Sequence, residues 1–360
     1  MRTSPDRRTW MVIFGVLVTI IILFYGYQSP WTSQVVRHGS NNPSIPNDVH
    51  FVYVLKDANA DFSFQFKHYL SVYAAWHYWQ PQTIYLHTNA HDDSITRARD
   101  GASGKWDKLI FGMPNLRINV VPVPSHANNS VEITVMEHKS DFLRVKAIRD
   151  FGGIYIDFDA HALRDIRPIL KSGFNAVGGR EISGQLNSGT FMSKKGAKMI
   201  SLWHEEMHQV YDGGWITHSN LVLTRVGEQL VAEPGEMLIL DKAALAPVGW
   251  EAEDCSMLFE VHDDTPPETG RGKVEGQQFH DEGSGRPGGN PPWARDWSST
   301  YILHAFQPDR HGYIIKGFDY NITPRYVLEG RSNFARAVYP VAKHMQENGL
   351  IGLDDSHHGL

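Results

Sequence analysis

Residues 149–161 read RDFGGIYIDFDAH, an apolar run that closes on two aspartates one residue apart, Asp157 and Asp159. In extended backbone, alternate residues share a face. Tyr155, Asp157 and Asp159 are therefore expected on one side of a strand, and Ile154, Ile156 and Phe158 on the other. Gly152 and Gly153 stop whatever helix precedes it. In a parallel α/β sheet ligands gather beyond the C-terminal strand ends, which is where the carboxylates fall. Two carboxylates that close repel each other unless a cation lies between them. Oxygen ligands select Mg²⁺, Mn²⁺ or Ca²⁺. A hard dication with open positions suits a diphosphate, whose charge it neutralises as the group departs. An EF-hand loop starting at Asp157 is excluded, because its sixth position is Ala162 and its twelfth is Pro168.

Upstream, residues 137–150 show helical spacing, with Phe142, Val145 and Ile148 at i, i+3 and i+6. Asp141 and Arg144 are i, i+3 neighbours on that helix. As an exposed ion pair they would contribute only ~0.2–1 kcal/mol. As site residues, Arg144 reaches a phosphate or sugar oxygen and Asp141 a sugar hydroxyl. Further upstream, strands are expected at 50–57 (HFVYVLKD), 82–89 (QTIYLHTN) and 116–124 (LRINVVPVP), with an amphipathic helix at 64–79. Strands alternating with helices predict an α/β fold, a mostly parallel sheet flanked by helices.

Downstream the pattern is less regular. AVGGREI and SGTFMS read as strands, residues 197–211 and 221–230 as helices, and STYILHAF (299–306) as a late strand. Residues 263–296 hold seven glycines and five prolines without periodicity, a long mobile loop that is either disordered or a lid over ligand.

The pattern S-D-x-x-R followed by G-G and Y-x-D-x-D, here Ser140, Asp141, Arg144, Gly152, Gly153, Tyr155, Asp157 and Asp159, resembles the sugar-binding region of glycosyltransferase family 32. The catalytic block of the clostridial glucosylating toxins is similar. HFVYV at the first strand, Leu186-Asn187-Ser188-Gly189, and His304 in YILHAF are weaker matches. The resemblance implies a single GT-A-like catalytic domain, a nucleotide-diphosphate sugar (GDP-mannose, UDP-galactose or UDP-GlcNAc), and Mn²⁺ or Mg²⁺. It implies a hexosyltransferase that retains anomeric configuration, with a glycan or glycolipid acceptor. Asp157, Asp159 and Arg144 would be catalytic. Val52, Tyr53, Asp141, Arg144, Asp157 and Asn187 would bind the donor, with Tyr53 as the base platform. Asp157, Asp159 and His304 would hold the metal, with His311 the alternative third ligand.

The rest of the chain sets the context. Of 360 residues 41% are hydrophobic and the net charge is −6, without a basic block, so nucleic acid is not an expected partner. Residues 10–27 form an uncharged apolar run whose helix would be about 27 Å long, enough to cross a membrane. Arg2, Arg7 and Arg8 precede it, which predicts a cytosolic tail (1–9), an anchor (10–27), a stem (28–48), a luminal domain (49–345) and a tail (346–360). A Golgi or neighbouring secretory membrane, type II, is the location implied. A cleaved signal peptide competes, but no small-x-small cleavage site follows. Sequons at Asn128 and Asn321 are compatible with a lumen. Cys255 is the sole cysteine, so no internal disulfide exists.

One motif points elsewhere. His204, Glu205 and His208 satisfy H-E-x-x-H, a zinc-protease signature, with Glu228 as a third ligand. The same helix carries an apolar stripe of Ile200, Trp203, Met207 and Val210, which fits ordinary packing. A noncatalytic sugar-binding protein on the same fold is the third reading.

Overall fold

A computed structural model describes residues 44–265 and 290–359. The anchor expected at 10–27, the start of the stem and the centre of the 263–296 loop lie outside the described residues. Among the described residues no helix is long and apolar enough to cross a membrane.

The first half alternates strand and helix as its periodicity predicts: β1 (Asp48–Val52), α1 (Phe66–Trp79), β2 (Thr83–Thr88), α2 (Asp92–Asp100), α3 (Lys105–Phe111), β3 (Leu116–Val120), α4 (Met136–Phe151) and β4 (Gly153–Ile156). There follow β5 (Ala160–Ala162), α5 (Arg167–Leu170), β6 (Ala176–Arg180), β7 (Leu186–Ser193), α6 (Lys198–Val210), a π-turn (Thr217–Leu221), α7 (Val222–Leu230), β8 (Met237–Leu240), α8 (Lys242–Leu245) and α9 (Ala252–Phe259). Beyond the loop come β9 (Ile302–His304), a 3₁₀ turn (Pro308–His311), α10 (Pro324–Glu329) and α11 (Asn333–Glu347).

Seven strands form one sheet in the order β3-β2-β1-β4-β7-β6-β8. Its pairings are parallel except on either side of β7, which runs antiparallel to β4 and β6. Helices cover both faces, so strands are buried on both. Ile154 and Ile156 of β4 pack in one core with Phe51, Phe66 and Val338. Tyr155 points into the other, with Phe191, Trp203 and Val145. The glycine pair ahead of β4 has a steric cause. Gly153 has φ +110°, and a Cβ there would lie 2.4 Å from the carbonyl oxygen of Asp48 on β1. Only glycine lets the two strands approach that closely.

Three expected elements are corrected. The strand expected to run through Asp159 ends at Ile156, and Asp157 to Asp159 form a turn in which the amide of Ala160 donates to the Asp157 carbonyl at 3.1 Å. Phe158 packs in an aromatic cluster, 4.8 Å from Phe51 and 5.3 Å from Phe64 between ring centres, on the side that also takes Ile154 and Ile156. The first strand stops at Val52 rather than 57, because the chain turns there to pair Leu55 with the side chain of Asn89 (2.8 Å). The late strand shrinks to three residues and joins β5 in a separate two-stranded sheet. At the C-terminus α11 extends through Glu347 and the chain then folds back onto the body. Trp106 Nε1 donates to the Ser356 carbonyl (3.1 Å) and the Phe66 amide to that of His357 (2.9 Å).

A buried polar run crosses β3, β2 and β1. Asn119 Nδ2 donates to His87 Nδ1, His87 Nε2 to His50 Nδ1, and His50 Nε2 to the Gly152 carbonyl, each at 2.9 Å. Every step has one donor only if both imidazoles are neutral. Burial pushes His50 down to about 3 and His87 to about 4. A folded value below the unfolded 6.5 gives stability that is present above pH 6.5 and lost as pH falls. From pH 7 to 5 this pair should cost about 2–4 kcal/mol. Urea midpoints at the two pH values check this, and equal midpoints refute it.

Candidate functional site

The short β5–β9 pairing places His304 opposite Ala160, and the Ala305 amide donates to the Asp159 carbonyl at 2.8 Å. This register brings His304 to the D-x-D turn. Its Nε2 lies 3.2 Å from Asp159 Oδ1. Asp157, Asp159 and His304 each offer one ligand atom, and the three atoms lie within 4.8 Å of one another. The imidazole is buried while the Asp157 and Asp159 side chains are 25% and 33% exposed, so the carboxylates form the open side. Two carboxylates and an imidazole suit a borderline-hard dication such as Mn²⁺.

The electrostatics agree. Burial raises the Asp157 carboxyl, with the charge on Asp159 adding to the effect and Arg144 opposing it. Burial also works against Asp159, but His304 outweighs it and holds that carboxyl below its ordinary range. The His304 imidazole is raised in turn, the Asp159 charge overcoming burial. Tyr155 donates its hydroxyl to Asp157 Oδ1 and fixes that carboxylate's rotamer.

Space for the cluster comes from Gly189 on β7. A Cβ there would lie 2.7 Å from Asp157 Oδ2, 2.7 Å from His304 Cε1 and 2.9 Å from Asn187 Oδ1. Gly189→Ala should therefore push the ligands apart and weaken Mn²⁺ binding by about tenfold or more. Titration followed by the electron spin resonance of free Mn²⁺ measures it; unchanged affinity would mean that these groups do not enclose the cation.

Arg144 is the keystone behind the carboxylates. Its Nη2 is 3.2 Å from both Asp141 Oδ1 and Asp157 Oδ1, and its Nη1 donates to the Ser188 carbonyl at 3.0 Å. The guanidinium carbon sits 4.6 Å from the centre of the Tyr155 ring. Asp141 is also held by His218, Nε2 to Oδ2 at 2.9 Å. The i, i+3 pair is thus buried and bridges to the D-x-D turn.

Val52 and Tyr53 line a cleft of about 740 Å³ together with Lys56, Glu137 and Ser140. The Tyr53 ring is braced by Phe64 at 4.3 Å. Asn187 lies behind His304: its Nδ2 is 3.0 Å from His304 Nδ1 and donates to Glu181 Oε2 (3.2 Å). His311 is exposed on the 3₁₀ turn, stacked on Tyr313, and is not among the clustered ligands. Lys56, Glu181, His218 and Asn220 were missed by sequence reasoning, since none falls at a motif spacing.

The H-E-x-x-H residues build no zinc site. Arg149 Nη1 lies 2.9 Å from both ring nitrogens of His204, where a cation already occupies the place a metal would take. Glu228 pairs with Arg180 at 2.9 Å. Among the described residues Asp157, Asp159 and His304 are the group with metal-holding geometry.

Paired carboxylates on the turn after a central strand, with a buried histidine against them, define an α/β enzyme with a D-x-D centre. Residues 67–175 match the family model described as "Glycosyltransferase sugar-binding region containing DXD motif". That region, 109 of the 360 residues, carries the D-x-D block, and the match supports a glycosyltransferase. The match includes Asp141, Arg144, Asp157 and Asp159 and ends before Asn187 and His304. Among curated proteins, "Glucan organizing enzyme 1" of Cryptococcus neoformans var. grubii is 22% identical over 310 residues, 82% of this chain and 70% of that one. Solved structures with some likeness include the PaToxG glycosyltransferase (16% identity, 52% of this chain and 70% of that, TM-score 0.38). Another is the galactosyltransferase LgtC with donor and acceptor sugar analogs (11% identity, 84% and 100%, TM-score 0.39). Likeness at this level leaves the fold to rest on the sheet topology itself.

Proposed function

We propose that this enzyme is a retaining, Mn²⁺-dependent hexosyltransferase of the GT-A type. Its donor would be GDP-mannose, UDP-galactose or UDP-GlcNAc, and its acceptor a glycan or glycolipid. The observation that carries the reading is the convergence of Asp157, Asp159 and His304 on one point at the edge of the sheet. A bound Mn²⁺ would supply charge neutralisation for the departing diphosphate. Asp157, Asp159 and His304 would hold it. Arg144 holds Asp157 and Asp141 in alignment, and Tyr53 offers a braced ring for the nucleotide base beside the cleft. Likeness to a fungal glucan organizing enzyme adds a glucan to the acceptors to test.

The apolar run at 10–27 supports a type II anchor with this domain on the luminal side of a Golgi or neighbouring membrane. Asn128, exposed on a turn, would be open to glycosylation there. The deciding experiment incubates the purified full chain with a panel of nucleotide sugars and Mn²⁺ and reads nucleoside-diphosphate release. Release with one donor, abolished by chelator, is expected. No release with any donor would refute the reading.

A further inference from the structure

Glu181, in the hairpin between β6 and β7, is only 4% exposed, yet it is held by neutral donors. Ser183 Oγ donates to Oε1 at 2.8 Å and Asn220 Nδ2 to Oε1 at 3.3 Å, while Asn187 Nδ2 donates to Oε2 at 3.2 Å. A buried carboxylate compensated by neutral groups is costly, so its neighbours repay inspection. Two chains of contacts leave it in different directions. Asn187 Nδ2 also lies 3.0 Å from His304 Nδ1, and its Oδ1 accepts from the Gly189 amide at 2.7 Å. Asn220, on the π-turn, accepts from the Ser188 amide at 3.2 Å, and the Ser188 carbonyl accepts from Arg144 Nη1 at 3.0 Å.

We infer that Glu181 is a positioning residue for the centre. Through Asn187 it holds the Gly189 peptide that leaves room for the ligands, and through Asn220 it orients the peptide unit on which Arg144 rests. The chemistry calls for a carboxylate. Asn187 and Asn220 both present NH₂ groups, one to each oxygen, and only a group that accepts on both sides satisfies them. A glutamine of the same shape would set its own NH₂ against one of the two. Glu181 and Asn220 lie at no motif spacing, and the inference rests on the reading of Asp157, Asp159 and His304 as the cation site.

The test uses Glu181→Gln in the full chain. Titration with Mn²⁺ alone, followed by electron spin resonance, should show Kd raised about tenfold or more, as when partners of metal ligands are removed. Donor hydrolysis should fall at least as far, with the melting temperature kept. Glu181→Asp, which retains both acceptors, should recover part of the Mn²⁺ affinity; it also serves if the glutamine variant fails to fold. A purely structural role would lower the melting temperature and leave Kd alone. Wild-type Kd in Glu181→Gln, with the wild type binding Mn²⁺, overturns the positioning role. A wild type that binds Mn²⁺ and turns over no nucleotide sugar refutes the proposed function instead.

Discussion

Asp159→Asn should abolish Mn²⁺-dependent donor turnover, by about 10²–10³-fold or more, while leaving the protein as stable as the wild type. The size follows from what the carboxylate does. It supplies one of two negative charges at a site whose third member is an imidazole, and charge complementarity to the departing group is usually the largest single catalytic effect. The stability expectation follows from exposure. Asp159 is one-third exposed and touches His304 at 3.2 Å, so removing it loses at most one partly solvated ion pair. It also relieves repulsion with Asp157. Asp157 would be the poorer choice, because it braces Arg144. Nucleoside-diphosphate release and Mn²⁺ titration decide the matter. Normal turnover in this variant would remove the centre from the mechanism.

Arg144→Met should be the most destabilising change at the site. The guanidinium is 8% exposed and lies between Asp141 and Asp157. Methionine fills similar space but leaves two carboxylates facing each other without their cation. Breaking a buried pair from one side costs about 3–5 kcal/mol. His218 would still hold Asp141, which places the loss toward the lower figure. Adding Asp141→Asn to Arg144→Met should restore part of the stability, since one uncompensated charge is removed, but none of the activity. Urea unfolding of the single and double variants measures this. A single variant within about 1 kcal/mol of wild type would show that the carboxylates are solvated and the pairing superficial.

The legible parts of the fold were those with a local period. The strand–helix alternation through residue 156 was readable because burial on both faces of a parallel sheet demands apolar strands. The helix carrying Asp141 and Arg144 was readable from its i, i+3 spacing. The turn at Asp157 was not, because a period of two continues formally through Phe158. There the Ala160 amide turns back to the Asp157 carbonyl, and Phe158 packs on Phe51 and Phe64, remote in the chain. The H-E-x-x-H motif shows the converse. Its spacing is genuine, but Arg149 from another helix sits against both ring nitrogens of His204, and His208 Nδ1 takes the Asn128 amide.

Short-range chemistry belongs to the sequence alone: the two aspartates, the glycines that let β4 approach β1, and the Asp141–Arg144 pair one helical turn apart. All are fixed by distances of a few residues, which backbone geometry translates directly into space. Whether His304 or His311 joins the aspartates, and that Glu181 and Asn220 stand behind them, was settled by folding. Those contacts depend on the register of β9 against β5 and on a π-turn between helices. Such choices are made by packing the whole chain at once and leave no periodic trace along it.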